Sequence, residues 1–257
     1  MCSASIGTII TNERNMSKFG LIGRNIDYSF SKSFFSEKFE RENLAHSYEN
    51  FDIPSIENFP DIISETNNLQ GINVTIPYKQ SVIPFLDSLD ETAEKIGAVN
   101  VIKVLDDKKL RGYNTDYFGF QKSLSHFLPL KNRKALILGK GGASKAIAYA
   151  LDNLGFDFQY VSRRDDGCLN YNQLDRETVE NHLLIVNCTP LGTFPNIMDC
   201  PDIPYQFVTP DHLLFDLIYN PTETKFLKRG RLKGARTSNG KDMLILQAEK
   251  AWEIWKS

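Results

Sequence analysis

Polar side chains capable of chemistry gather at the ends of apolar runs in the first half of the chain. Ser29 and Ser31 follow the run Phe19–Gly23 and offer two hydroxyl donors to an anion. Asn73 and Thr75 interrupt the apolar segment Gly71–Ile76, and Lys79 follows Pro77. Asn100 interrupts Ala98–Ile102, and Asn114-Thr115-Asp116 closes the run that begins at Leu110. Each has a plain structural reading as well. Serine and asparagine cap helices and close turns, a lysine faces water, and Asp116 is placed to N-cap the helix that follows it. What joins them is position, because α/β proteins bind their ligands beyond strand ends.

The second half carries a glycine-rich turn, Gly139-Lys140-Gly141-Gly142, directly after the apolar run Lys134–Leu138. Glycines at a strand-to-helix turn let a pyrophosphate approach the backbone, where the helix start supplies unpaired N–H groups and a positive dipole end. Gly139 and Gly141 match the first two glycines of the G-x-G-x-x-G pattern, while Ser144 stands at the third. The next strand ends Ser162-Arg163-Arg164. Arginines at that point suit the 2′-phosphate of NADP, since a planar guanidinium binds phosphate bidentately. Asp165 and Asp166 follow at once and favour a free ribose, so the cofactor signal is mixed.

The elements that must position these groups alternate between strands and helices, the mark of an α/β fold. Strands are expected at Phe19–Gly23, Gly71–Ile76, Val99–Val104 and Leu110–Tyr113, with a helix over about Ser31–Arg41 and another after Pro77. In the second half, Lys134–Leu138 reads as a strand buried on both faces. The helix after it places Ala143, Ala146, Ile147, Ala150, Leu151 and Leu154 on one stripe and stops at Gly155. Phe158–Ser162 and Leu183–Val186 read as further strands. A last helix, about Lys241 to Trp255, carries Leu244, Ala248, Ala251, Trp252 and Trp255 on one side.

Composition limits the alternatives. The chain has 257 residues, enough for one large domain or two modest ones. Thirty basic against thirty-two acidic side chains leave a net charge of −2, without the basic excess of a nucleic-acid binder. No apolar run approaches the ~20 residues of a membrane span. Cys2, Cys168, Cys188 and Cys200 have neither zinc-site nor disulfide-framework spacing, which fits a reducing cytoplasm. His46, His126, His182 and His212 are scattered and read as structural or surface groups, so no metal is expected. Met1–Asn15 lacks a basic start and makes a poor signal peptide, and it reads as an extension ahead of the natural beginning at Met16.

Taken together, these segments resemble the shikimate dehydrogenase family over nearly the whole length from Phe19 to Trp255. The resemblance rests on Ile22-Gly23 through Ser29-x-Ser31, Gly71-x-Asn73-Val74-Thr75-Ile76-Pro77-Tyr78-Lys79, Gly97–Asn100 and Gly112–Asp116. It continues through Gly139–Ser144, Asn187–Gly192, Asp216–Tyr219 and Asn239–Leu244. It implies reversible NADP-dependent reduction of 3-dehydroshikimate to shikimate in aromatic (chorismate) biosynthesis. It also implies two α/β domains. Residues 1–115 with 239–257 would bind substrate, and residues 116–238 would form a doubly wound, Rossmann-like NADP domain, with the last helix returning to the first. By resemblance Lys79 and Asp116 are catalytic, and Ser29, Ser31, Thr75, Asn100, Tyr219 and Gln247 hold the substrate. Gly139, Gly141, Gly142, Ala143, Ser144, Ser162, Arg163, Arg164, Thr189, Gly240 and Met243 line the cofactor site. The expected partner is a small-molecule substrate, with no nucleic acid or membrane, in a monomer or homodimer.

The chemistry agrees. Hydride reduction of a ketone leaves an alkoxide that must receive a proton, and an ammonium with a carboxylate can stabilise that charge and supply the proton. Lys79 fits the acid in reduction and the base in oxidation, or a cation that stays ionised throughout. There are departures from the family pattern. Tyr28 stands where histidine is usual, Lys32-Ser33 replaces Ser-Pro, and Lys140 replaces a small residue. Two alternatives stay open: a quinate/shikimate dehydrogenase that also uses NAD, read through Asp165, and a non-catalytic shikimate-binding relative.

Overall fold

Two compact units make up the chain, one comprising the residues up to Asn114 together with Ala251–Ser257, the other Thr115–Lys250. The computed structural model describes residues 16–27, 29–163 and 167–257. The expectations for Met1–Asn15, Tyr28, Arg164, Asp165 and Asp166 lie outside the described residues.

The first unit runs β1 (Ser17–Gly23), α1 (Phe30–Arg41), β2 (His46–Asp52), α2 (Phe59–Glu65), β3 (Leu69–Val74), β4 (Ser88–Leu89), α3 (Glu91–Ile96), β5 (Val101–Val104) and β6 (Leu110–Tyr113). Among the described residues its strands form one mixed sheet, ordered β2-β1-β3-β5-β6-β4. β1 pairs in parallel with β2 and β3, while β5 runs antiparallel to both β3 and β6. The register sets Asn73 opposite Val101 and Val101 opposite Tyr113. The C-terminal ends of β1, β3 and β6 and the start of β5 therefore share one edge.

One face of this sheet buries Ile22, Ile72, Val74 and Ile102 against Phe59, Tyr78 and Val82. On Phe19 pack the rings of Phe39, Trp252 and Trp255. Trp255 comes from α8 (Lys241–Lys256), and its indole N–H donates to Ile102 O at 3.0 Å. The end of the last helix, from Ala251, thus packs on the first sheet, while its residues up to Lys250 belong to the second unit.

The helix expected after Pro77 does not form. Turns occupy this stretch up to a single 3-10 turn at Ile83–Phe85. Pro84 has no N–H to bond Gln80 O, so an α-helix begun after Pro77 could not run on past Ile83, and Pro84 is instead held in the first turn of the 3-10 element.

The second unit runs α4 (Asp116–Ser125), β7 (Lys134–Leu138), α5 (Gly142–Asn153), β8 (Asp157–Ser162), β9 (Leu169–Asn170), α6 (Arg176–Asn181), β10 (Leu184–Asn187), β11 (Leu213–Asp216), α7 (Lys225–Leu232), β12 (Arg236–Ser238) and α8. Its strands are parallel throughout, in the order β12-β11-β10-β7-β8-β9. Counted from β7, this is the doubly wound order 3-2-1-4-5-6 read from the far edge, with the switch point between β7 and β10.

Ala135–Leu138 are fully buried, as a strand covered on both faces requires. Helix α5 buries Ala146, Ile147, Ala150 and Leu151 of the expected stripe. It ends as read: Gly155 takes φ +69° and its N–H closes on Asp152 O. Asp116 is not the N-cap of α4. Thr115 takes that place, and Asp116 is the first helical residue, where a carboxylate complements the helix dipole.

Candidate active site

In the first unit the sheet edge gathers the predicted groups through backbone hydrogen bonds. Thr75 N–H donates to Ile22 O at 2.9 Å, which ties the segment after β3 to β1. Val74 N–H donates to Asn100 O at 2.8 Å, and Asn100 N–H donates to Tyr113 O at 3.0 Å. Lys79 sits in the turns beyond β3, half-buried, and its carbonyl accepts from Val99 N–H at 2.7 Å. Thr75, Lys79 and Asn100 are therefore fixed to one rim by main-chain bonds that no side-chain replacement removes. Asn114 lies on the same rim, buried, with its amide donating to Ala98 O at 2.9 Å.

Ser29 is the N-cap of α1 and its Oγ accepts from Ser31 N–H at 3.2 Å. The loop that brings it there is clamped by Asp52, whose carboxylate accepts from Asn25 N–H and Ile26 N–H at 3.0 and 3.2 Å. Asp52 pairs with Gly23 in register, so β2 ends beside β1 and holds this loop. Sequence reasoning missed β2 because His46-Ser47-Tyr48-Glu49-Asn50-Phe51-Asp52 shows no clean apolar alternation.

In the second unit the switch point carries the glycine-rich turn. Gly139 has φ +99°, and a Cβ there would stand 3.0 Å from Thr189 Cγ2, so the turn after β7 lies against the loop after β10. A non-glycine residue is disfavoured at that backbone angle. Gly141 differs. It caps α5 in extended backbone, and a Cβ there would meet nothing within 4 Å. Ser144, at the third motif position, is fully buried and donates its hydroxyl to Gly141 O at 2.7 Å. A satisfied serine therefore replaces the packing glycine at no polar cost. Ser162 closes β8, buried, and Arg163 beyond it is exposed.

The loop after β10 is held from below by a buried polar network that the sequence did not reveal. Asp216, fully buried at the end of β11, accepts from Asn187 Nδ2 (3.0 Å), Ile218 N–H (3.1 Å) and Thr224 Oγ1 (2.6 Å). Asn187 Oδ1 in turn accepts the Thr189 N–H at 3.0 Å and its hydroxyl at 2.7 Å. Burial pushes the Asp216 carboxyl up to about 7, although the three donors oppose the rise.

This shift has a measurable consequence. Below the unfolded value near 3.8, both states hold the proton and the contribution is intact. As pH rises toward about 7 only the unfolded chain ionises, and stability is lost by roughly 4 kcal/mol at about 1.4 kcal/mol per pH unit. Asp216→Asn keeps the shape and cannot ionise. Denaturant unfolding across this range should show wild type losing stability relative to the variant, and parallel curves would refute the assignment.

Asp116, at the start of α4, is 1% exposed. One turn on, Gly119 lets α4 approach α8 so closely that a Cβ would stand 2.4 Å from Met243 O and 3.2 Å from Gln247 Cβ. Asp116, Gln247 and Met243 are thus grouped by one helix crossing. Gly240 is packed as tightly, its N–H donating to Ile218 O at 3.0 Å next to the half-buried Tyr219. Three histidines hold structure: His212 Nε2 bonds Val179 O, His182 Nδ1 bonds Thr178 O, and His46 lies among Phe19, Phe39 and Trp252, while His126 is exposed. Among the described residues no group of three or more His, Cys, Asp or Glu side chains is placed to hold a metal ion. No helix of the described residues is long and apolar enough to cross a membrane.

Comparison with known proteins gives a consistent result. Residues 21–102 match the shikimate dehydrogenase substrate binding domain. The shikimate dehydrogenase (NADP(+)) of Clostridium botulinum is 39% identical over 248 residues, covering 92% of this chain and 95% of that protein. The crystal structure of shikimate 5-dehydrogenase from Thermus thermophilus, in complex with NADP(H) and shikimate, superposes with a TM-score of 0.83 at 30% identity, covering 93% of each chain. Quinate dehydrogenase from Corynebacterium glutamicum in complex with NAD gives 0.82 at 27% identity, covering 94% of each.

Proposed function

Because the chain belongs to the shikimate dehydrogenase family, we propose that it catalyses the reversible NADP-dependent reduction of 3-dehydroshikimate to shikimate in chorismate biosynthesis. The observation that carries this reading is the Gly139–Gly142 turn lying against Thr189 at the switch point of a doubly wound parallel sheet. The residues present fit a dinucleotide. Gly141 leaves open space at the start of the twelve-residue helix α5, whose first N–H groups face an anion without competition from a side chain.

The roles follow from the chemistry. Gly139, Gly141, Gly142, Ala143 and Ser144 would hold the pyrophosphate, and Ser162, Arg163 and Arg164 the adenosine 2′-phosphate. Thr189, Gly240 and Met243 complete that site. When bound, the nicotinamide supplies the hydride. Ser29 and Ser31 would donate to the substrate carboxylate, while Thr75, Asn100, Tyr219 and Gln247 hold the hydroxyls or carboxylate. Lys79 gives the proton to the forming alkoxide in reduction and takes it in oxidation, and Asp116 keeps the hydroxyl hydrogen-bonded and oriented. On this reading residues 1–115 with 239–257 bind substrate and residues 116–238 bind NADP. The protein acts in the cytoplasm, as a monomer or homodimer.

Steady-state oxidation of shikimate with NADP and with NAD tests the proposal directly. NADP is expected to be the better cofactor, because a forked guanidinium gains more from a phosphate than a solvated carboxylate loses. Replacing Arg163 and Arg164 together by alanine should lower the NADP:NAD ratio of kcat/KM by roughly 10- to 100-fold, the share of a charged hydrogen bond. NAD turnover should be spared. A wild-type ratio at or below one, with quinate also oxidised, would select the quinate/shikimate alternative read through Asp165. Shikimate binding without turnover would select the non-catalytic one.

A further inference from the structure

We infer that Tyr48 is a positioning residue for the substrate carboxylate, its buried hydroxyl holding the Ser31 hydroxyl in place between α1 and β3. The inference rests on the reading of Ser31 as a carboxylate donor. Tyr48 lies on β2, a strand with no sequence signal of its own, and is 4% exposed. Its ring is stacked on Phe35 of α1, with centroids 4.8 Å apart and planes 11° from parallel. That stacking fixes where the hydroxyl must be. The Tyr48 hydroxyl donates to Asn73 Oδ1 at 2.7 Å. Ser31 stands one turn before Phe35 on the same face of α1, which brings its side chain beside that hydroxyl.

The direction of these bonds follows from counting protons. A phenol has one proton and two lone pairs, and an amide oxygen can only accept. Asn73 Nδ2 faces the carbonyl of Asn100 at 3.4 Å, which turns Oδ1 toward Tyr48. The Tyr48 proton therefore goes to Asn73, which leaves the lone pairs of Tyr48 Oη to accept the Ser31 proton. When a carboxylate arrives, the Ser31 proton turns to the anion. The Tyr48 proton can then turn to the Ser31 oxygen, so the serine is held in both states by the same neighbour. Ser29 differs, because its oxygen accepts from Ser31 N–H and its own proton is not used in that bond. Tyr48 thus acts through one of the two serines, fixing it before substrate binds, and preorganisation of this kind appears as affinity.

Three variants test this: Tyr48→Phe, Ser31→Ala and the double change. Tyr48→Phe keeps the ring that stacks on Phe35 and removes only the hydroxyl. It should raise KM for shikimate roughly 3- to 10-fold, the share of one neutral hydrogen bond. KM for NADP should stay unchanged and kcat should stay within about twofold. In the Ser31→Ala background the same change should add nothing further, which a merely structural role would not produce. The methyl ester of shikimate, which lacks the anionic carboxylate, should show no Tyr48 effect. Assays run well below each variant's melting temperature keep folding losses out of the comparison. Equal factors in both backgrounds, or no effect of Tyr48→Phe where Ser31→Ala raises KM, would overturn the inference alone. An unchanged KM in Ser31→Ala would overturn the assignment of Ser31, and the inference with it.

Discussion

Lys79→Ala is expected to lower turnover by roughly 10²- to 10⁴-fold, the usual share of a positioned general acid or base. The backbone at this position is held independently of the side chain, by Val99 N–H on the Lys79 carbonyl at 2.7 Å. The preceding Tyr78 is buried and donates its hydroxyl to Ile53 O at 2.7 Å, which anchors the turn from the other side. Removing the half-buried lysine side chain therefore leaves the rim intact, and the melting temperature should move little. Substrate KM should rise far less than kcat falls, because the proton is needed as charge develops rather than in the ground state. Lys79→Arg separates the two chemical roles. Arginine keeps a positive charge but does not give up a proton near neutral pH. Substantial turnover in that variant would assign Lys79 to charge stabilisation, and near-wild-type turnover in a folded Lys79→Ala would remove it from the reaction altogether.

Gly141→Val should leave the fold unchanged and weaken NADP by roughly 10- to 100-fold. A Cβ at this position would meet nothing within 4 Å. Gly141 has φ −97° and ψ −177°, extended backbone that valine adopts readily. Neither packing nor φ requires a glycine here, and its place as the N-cap of α5 favours glycine over valine only modestly. A ligand accounts for it, since the second glycine of the turn lets the pyrophosphate reach the backbone N–H groups. Losing one such hydrogen bond to a charged group gives the stated factor. Gly139→Val is the contrast: at φ +99°, and beside Thr189, it should lower stability as well as cofactor affinity. Thermal melts and KM for NADP and shikimate distinguish the two. An unchanged KM for NADP in Gly141→Val would mean that the dinucleotide does not approach this turn.

Much of the fold was legible because it rests on local rules. The α5 stripe, its stop at Gly155 and the buried β7 follow from side-chain period and glycine geometry, which depend only on neighbours in the chain. The glycine-rich turn and the polar residues at strand ends were visible for the same reason. Local reasoning failed after Pro77, where Pro84 overrides an apparent helical pattern, and at Asp116, where Thr115 takes the cap. In both places residue types were read correctly and the backbone between them was not.

Contacts between distant segments arise only in the packed chain. The chain does not announce that β2 lies beside β1, since its seven residues are mostly polar, and so it hides both the Asp52 clamp and Tyr48. Nor does it show that Asp216 lies beneath Asn187, twenty-nine residues earlier, because parallel neighbours β10 and β11 are joined through a long connection. Strand order, which sets the switch point between β7 and β10, arises only once both strands are hydrogen-bonded in one sheet. The order of residues sets which chemical groups exist and which turns can bend. Burial and long-range pairing determined which of those groups meet, because desolvation and hydrogen-bond partners are properties of the packed chain and not of any segment of it.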